Sequence, residues 1–339
     1  MNANKSVRMI IFFLVALGGL ATFGQVTAVT PYTVSPFARS APGVYFQPDS
    51  IAVLEHHIFI GFGNGAKPDG ADGKSSTIVE YDRSGNVITT FSVKGHNDGL
   101  KVNPVTKELW AMQNEDANPN LVIINPRTGS QKLYTFGPTP HGGGYDDLAF
   151  FGRDVFLSAS NPANNPNHAP AIVRVELRGH MAMVSPVLLG TSTAIDIPTD
   201  SPVTLNLEDP DSMTIDPLGD LVLDSQADGE LIIVRHPGAV DQSAYHLALT
   251  LQSAPVQIDD TIFTSSPLGT ILVSDRDGDT IYAISKDIFS PNAAYSAGPT
   301  SVGKLDFDTG VFTNVVTGLV SPHGMAFIPD QRQKDNTNP

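Results

Sequence analysis

From residue 45 onward, apolar and polar positions alternate with a period of two, and stretches with helical spacing are scarce. Such alternation predicts β-strands with one buried face. The alternating runs share a start: an Asp, one small or polar residue, then apolar residues at every second position. It occurs as "PDSIAV" at Asp49, "NDGLKV" at Asp98, "YDDLAF" at Asp146, "PDSMTI" at Asp211 and "DDTIFT" at Asp260, while the last copy, "PHGMAF", has His323 in the Asp place. The steps between starts are 49, 48, 65, 49 and 63 residues. A period near fifty residues is that of a propeller blade of four strands.

The interior of each repeat agrees. In the first, "SIAVL", "HIFIGF", "STIVEY" and "NVITTF" read as four strands, the last two joined by a turn containing Gly85. Gly129, Gly179, Gly238 and Gly310 occupy the corresponding turns, where a tight hairpin needs positive φ. Six starts predict an all-β fold, a six-bladed β-propeller of four-stranded antiparallel blades over residues 29–329. Only five repeats are complete, so residues 29–47 are expected to finish the sixth blade and close the ring with strands from both termini. A five-bladed ring with an extra terminal strand is the alternative. The polar segment 330–339 reads as a disordered tail.

Composition adds the compartment. Lys5 and Arg8 precede the apolar run "MIIFFLVALGGLA", and Val26-Thr27-Ala28 offers small residues before a cut. Residues 1–28 therefore read as a secretory signal peptide, with an uncleaved anchor as the alternative. Export to the periplasm or the outside follows, without stable membrane insertion after cleavage. Removing Lys5 and Arg8 would take the formal charge from −15 to −17. A surface this acidic, with no Lys/Arg run to offset it, excludes nucleic acid as a partner. The chain has no Cys, which excludes disulfides, thiolate ligands and a Cys nucleophile. Its single Trp, Trp110, excludes a tryptophan-docked propeller.

Candidate chemistry gathers where the repeats begin. The second strand of each repeat also ends in Asn or Asp: Asn64, Asn114, Asn161, Asp224 and Asp275. Antiparallel neighbours place both series on one face of the disc. Asp49, Asp98, Asp146, Asp211 and Asp260, with His323, are thus expected to ring one mouth of the channel, flanked by Asn97, Asp147, Glu208, Asp209 and Asp259. Crowded carboxylates repel. A hard divalent cation such as Ca²⁺ is one remedy; raised pKa values and hydrogen bonds from backbone N–H groups are the others. Asp before a strand also caps turns, so a purely structural series remains open. His96, His141 and His323 sit in or beside pre-strand loops on the same face, as candidate bases or ligand contacts. The loop "PHGGGYDD" places three glycines beside Asp146.

The repeats resemble the SMP-30/gluconolactonase group of six-bladed propellers, close to NHL-type propellers. The likeness rests on Asn97-Asp98-Gly99 followed by Asn103-Pro104, on Pro210-Asp211-Ser212-Met213 with Asp216, and on the position of Asp146-Asp147-Leu148. The resemblance implies Asp211 as metal ligand and general base, Asp146 as second ligand and Asn97 as a substrate contact. The family's "E-G-P" glutamate has no counterpart, its place falling near His323, and Gly95 stands where the family has Arg.

Two functions follow. One is a Ca²⁺-dependent hydrolase of a lactone or related ester. Its catalytic residues would be Asp211 and His323, its substrate contacts Asn97, His96 and His141, and its metal ligands Asp146, Asp211, Asp98, Asp260 and Asp49. The other is a non-catalytic propeller that presents the same face to a small molecule, glycan, peptide or protein partner.

Overall fold

Residues 25–330 are described by the computed structural model. Their principal strands form six four-stranded antiparallel blades. The inner strands are Pro48–Leu54, Asn97–Val102, Leu148–Phe151, Pro210–Ile215, Thr261–Phe263 and Pro322–Pro329. Each packs against the next, and the last packs against the first, so the ring is closed.

Six apolar clusters hold it, one between each pair of neighbouring blades. Phe59 meets Leu100 between blades 1 and 2, Trp110 meets Leu157 between 2 and 3, and Phe156 meets Met213 between 3 and 4. Val222 meets Phe312 between 4 and 5, Ile284 meets Val302 between 5 and 6, and Leu272 meets Phe62 between 6 and 1. Each fully buried Leu or Phe contributes about 1.5–3 kcal/mol. The second and third strands are covered on both faces by neighbouring blades. "HIFIGF" and "LWAMQ" are therefore nearly continuous apolar runs rather than alternations.

Blades 1 to 4 follow the chain, over 48–94, 97–136, 148–189 and 210–248. The outer strands of blades 2 and 3 also pair in parallel, Thr135 opposite Met181. Blade 4 carries two further strands, Thr193–Asp196 and Ser201–Thr204, on its outer edge, which account for the 65-residue step before Asp211.

Blades 5 and 6 correct the sequential reading. After the inner strand Thr261–Phe263, the chain crosses to blade 6 and builds its two middle strands, Gly269–Asp275 and Thr280–Ser285. It then returns to complete blade 5 with Ala294–Ala297, Ser301–Leu305 and Phe312–Thr317. This excursion explains the 63-residue step. It also moves Asp275 out of the blade of Asp260 and into that of His323. Alternation marks a strand, but its partner is chosen by non-local packing.

Both termini close the ring as expected. Thr33–Arg39 is the outer strand of blade 6 and Pro322–Pro329 its inner strand. Asp279 Oδ1 fastens the closure by accepting from Ser40 Oγ at 2.8 Å and from the Gln47 N–H at 2.7 Å. The apolar run before residue 25 and the tail from residue 331 lie outside the described residues. Thr27–Ala28 pairs with Val316 and Thr317 on the edge of blade 5, so a cut after Ala28 would remove that strand. Among the described residues there is no helix, hence none long and apolar enough to cross a membrane.

Neighbouring inner strands approach closely at two glycines. A Cβ on Gly99 would lie 2.5 Å from the Asp146 carbonyl oxygen, and one on Gly324 would lie 2.6 Å from Ser50 Cα. Both obstacles are backbone, so neither can move aside cheaply. We expect Gly99→Ala and Gly324→Ala each to lose about 1–3 kcal/mol of stability, the usual cost of overpacking. Denaturant midpoints would measure this, and an unchanged midpoint would show that the strands do not approach as described.

Candidate functional site

Each inner strand begins with the same irregularity: two residues oppose one on the second strand. Asp49 and Ser50 oppose Gly61, Asp98 and Gly99 oppose Met112, and Asp211 and Ser212 oppose Asp224. In blade 6, His323 and Gly324 oppose Ser274. Blade 3 does the same with Asp146 and Asp147, whose backbone N–H and carbonyl respectively bond Ser158. Blade 5 uses Asp259 and Asp260 against Ala297. Such a bulge bends the strand and re-aims a side chain.

The register settles which acid leads in blade 5. Asp259 is equivalent to Asp49, Asp98, Asp146, Asp211 and His323, and all six line one cavity of about 200 Å³. Asp260, predicted in that ring, is the second bulge residue. Its Oδ2 accepts the Met325 N–H of blade 6 at 2.7 Å, as Asp147 Oδ2 accepts the Met213 N–H of blade 4 at 3.0 Å. "DDTIFT" contains both acids, and no spacing argument chooses between them.

The rest of the wall comes from loops beside the bulges. His96 and Asp209 stand two residues before Asp98 and Asp211, and Glu115, Asp116, Ser160, Gln226 and Arg276 follow second strands. Glu115 and Arg276 were missed in sequence, although each directly follows a residue of the Asn/Asp series.

That second series is structural. Asn64 Oδ1 accepts the Phe46 N–H, Asn114 Oδ1 the His96 N–H, and Asp275 Oδ1 the Ser321 N–H, at 3.1, 3.0 and 2.7 Å. Each caps the loop entering an inner strand. Asn161 donates to the Asp116 carbonyl, and Asp224 Oδ2 accepts from Thr261 Oγ1 at 3.0 Å.

Two predicted substrate contacts do not reach the cavity. Asn97 is fully buried within its blade and donates to the Met112 carbonyl at 2.9 Å. Its Oδ1 lies where a Gly61 Cβ would be. His141 is buried against Tyr145, bonded through Nε2 to the Gly144 carbonyl, and burial pushes its imidazole toward the neutral form. His96 does line the cavity, with Nδ1 2.9 Å from Glu115 Oε2.

Eight carboxyl groups thus face Arg276, His323 and His96 across one small space. Burial first, then mutual repulsion, pushes Asp98, Asp146 and Asp211 well above the ordinary carboxylate range. The rise at Asp211 is offset in small part by its neighbour Asp146. Burial works against protonation of His323, but Asp259 at 2.8 Å and Asp49 at 3.8 Å outweigh it and raise its pKa to about 9. This favours the protonated form of His323 near neutral pH, a proton donor more than a base.

The donor set fits a hard divalent cation. Its ligand atoms are carboxylate oxygens with one imidazole, and those of His96, Asp98 and Glu115 all lie within 4.8 Å of one another. Asp146 and Asp211 complete the acidic side, Asp49 is drawn toward Arg276 and His323, and Asp260 is outside.

The architecture recurs in proteins of remote sequence. A protein of unknown function from Bacteroides caccae aligns with TM-score 0.50 at 7% identity, over 86% of this chain and 89% of that one. A catalytically inactive virginiamycin B lyase from Staphylococcus aureus with quinupristin gives TM-score 0.49 at 13% identity, over 87% and 96%. The Pseudomonas aeruginosa periplasmic gluconolactonase gives 0.47 at 10%, over 83% and 88%. Gluconolactonases are thus among the structural neighbours, and at these identities the likeness is one of fold. No protein-family model matches the chain, and no curated protein matches it in sequence.

The electrostatics fix a pH dependence. A carboxyl whose pKa rises on folding binds its proton more tightly when folded, so stability falls as pH climbs from the unfolded to the folded value. For Asp260 that window runs from 3.8 to about 7, and for His323 from 6.5 to about 9. Without divalent cations we expect Tm to fall steadily from about pH 4 to about pH 9. Asp211→Asn should raise Tm at pH 8 by on the order of 2–4 °C. Scanning calorimetry in chelator would check both, and a Tm that rises across this range would contradict the assignment.

Proposed function

We propose that the cavity holds a divalent cation, Ca²⁺ foremost, and hydrolyses a small lactone or related ester beside it. The observation behind this is the convergence of five bulge carboxyls and one imidazolium, in equivalent positions, on one space too acidic to be neutralised by its own cations. Asp98, Asp146, Asp211 and Glu115, with His96, are the residues to hold the ion. A cation bound there would polarise the ester carbonyl. The Asp211 carboxylate would take the proton of the attacking water as the water oxygen bonds the carbonyl carbon. His323, held by Asp259 and Ser321, gives its proton to the ester oxygen as the C–O bond breaks, leaving a hydroxy acid. A cavity of about 200 Å³ suits a ligand smaller than a drug-sized molecule.

Binding without turnover is the second reading, favoured by Gly95. A Cβ there would lie 2.5 Å from Asn114 Oδ1, so no side chain can replace the arginine of the resembling family at this position. On either reading the basic, apolar N-terminal segment suits export, and the acidic surface excludes nucleic acid as a partner.

We expect 1 mM CaCl₂, a level at which extracellular Ca²⁺ modules are loaded, to restore the Tm lost in chelator at pH 8, and Asp211→Ala to abolish that gain. A lactone panel followed by acid release should show turnover that is lost in Asp211→Ala and lowered by about 10²–10⁴-fold in His323→Gln. Ca²⁺-dependent melting with no turnover on any lactone would decide for the binding reading. No Ca²⁺ response would remove the cation site.

A further inference from the structure

Beneath the cavity lies a charged link that the proposed reaction does not use. Lys101 stands on the inner strand of blade 2, three residues past Asp98. Its Nζ is 2.7 Å from Asp147 Oδ2, and the same oxygen accepts the Met213 N–H at 3.0 Å. Asp147 directly follows Asp146, and Met213 stands two residues past Asp211. One carboxylate oxygen therefore ties together the three consecutive inner strands that carry Asp98, Asp146 and Asp211. The Gly99 N–H, donating to the Asp146 carbonyl at 3.1 Å, joins blade 2 to blade 3 a second time.

The link needs its charge. Asp147 is buried, and its Oδ1 has no hydrogen-bond partner among the described residues. Removing one partner of a buried ion pair leaves the other uncompensated, which is strongly destabilising. Lys101 is that partner for Asp147. The other half of the ring shows the simpler form, with Asp260 Oδ2 bonded to the Met325 N–H at 2.7 Å and no ion pair, although the Lys101 charge also reaches Asp260 from a distance.

We propose that Lys101 is a positioning residue: by clamping Asp147, and through it the strand of Asp211, it sets the spacing of Asp98, Asp146 and Asp211. The role has an unusual sign. An ammonium below a cation site repels the cation, so deleting its charge alone would tighten binding. Losing the spacing would weaken binding.

The proposal rests on the cation reading only in its affinity arm, so two measurements are made on the full chain. Lys101→Met, Lys101→Arg and the exposed control Lys132→Met are titrated calorimetrically with CaCl₂. Hydrogen exchange of the cation-free proteins is read on segments 97–102, 210–215 and 322–329. Lys101→Met should weaken Ca²⁺ binding by about tenfold or more, the scale of outer-shell effects on metal sites, while Lys101→Arg restores most of it. Exchange in Lys101→Met should quicken at 97–102 and 210–215 and change less at 322–329, where Asp260 bonds Met325 without an ion pair. Equal or tighter Ca²⁺ binding in Lys101→Met overturns the positioning role, and so does unchanged exchange at 210–215. If the wild type binds no Ca²⁺, the cation reading fails by itself and the exchange pattern alone decides the clamp. Should Lys101→Met not fold, Asp147→Asn is held to the same two outcomes, since it keeps an acceptor for Met213 but loses the charge.

Discussion

Two residues at the head of every inner strand oppose a single residue on the next strand, and the centre of the molecule is organised by that extra residue. It turns the first side chain of the pair toward the axis and the second toward the neighbouring blade. The first positions supply Asp49, Asp98, Asp146, Asp211, Asp259 and His323, which become the cavity wall. The second positions supply what the ring needs to close. Gly99 and Gly324 let adjacent backbones approach, while Asp147 and Asp260 bond the amide of the following inner strand.

This arrangement concentrates negative charge where burial makes it most costly. The fold answers in three ways. The carboxyls of Asp98, Asp146 and Asp211 are pushed toward their neutral form, the imidazole of His323 toward its charged form, and guanidinium and ammonium groups are brought in from Arg276 and Lys101. None is a turn-capping device. The turn-capping acids and amides are elsewhere, in Asn64, Asn114 and Asp275, whose oxygens are already occupied by backbone N–H groups. Capping therefore accounts for the second series, while the first series lines the cavity.

Closure of the ring depends on chain segments distant in sequence. Blade 6 is assembled from 33–39, 269–285 and 322–329, and blade 5 is interrupted to make this possible. Its two middle strands are pinned between apolar clusters shared with blades 5 and 1. The same excursion brings Arg276 to the cavity, on the turn that follows Asp275, beside the imidazole that its own blade contributes.

The period near fifty, the six starts, the turn glycines and the terminal closure were legible in the chain, because alternation and turn chemistry are local properties of the backbone. So was the candidate site in outline: five of the six cavity-wall bulge residues can be named from spacing alone. Tertiary structure decided what spacing cannot. It chose Asp259 over Asp260, because a bulge shifts register by one residue. It withdrew Asn97 and His141, because their polar atoms are turned inward among backbone and aromatic neighbours. It added Glu115, Arg276 and the Lys101 clamp, because charges from separate blades meet only when the ring is closed.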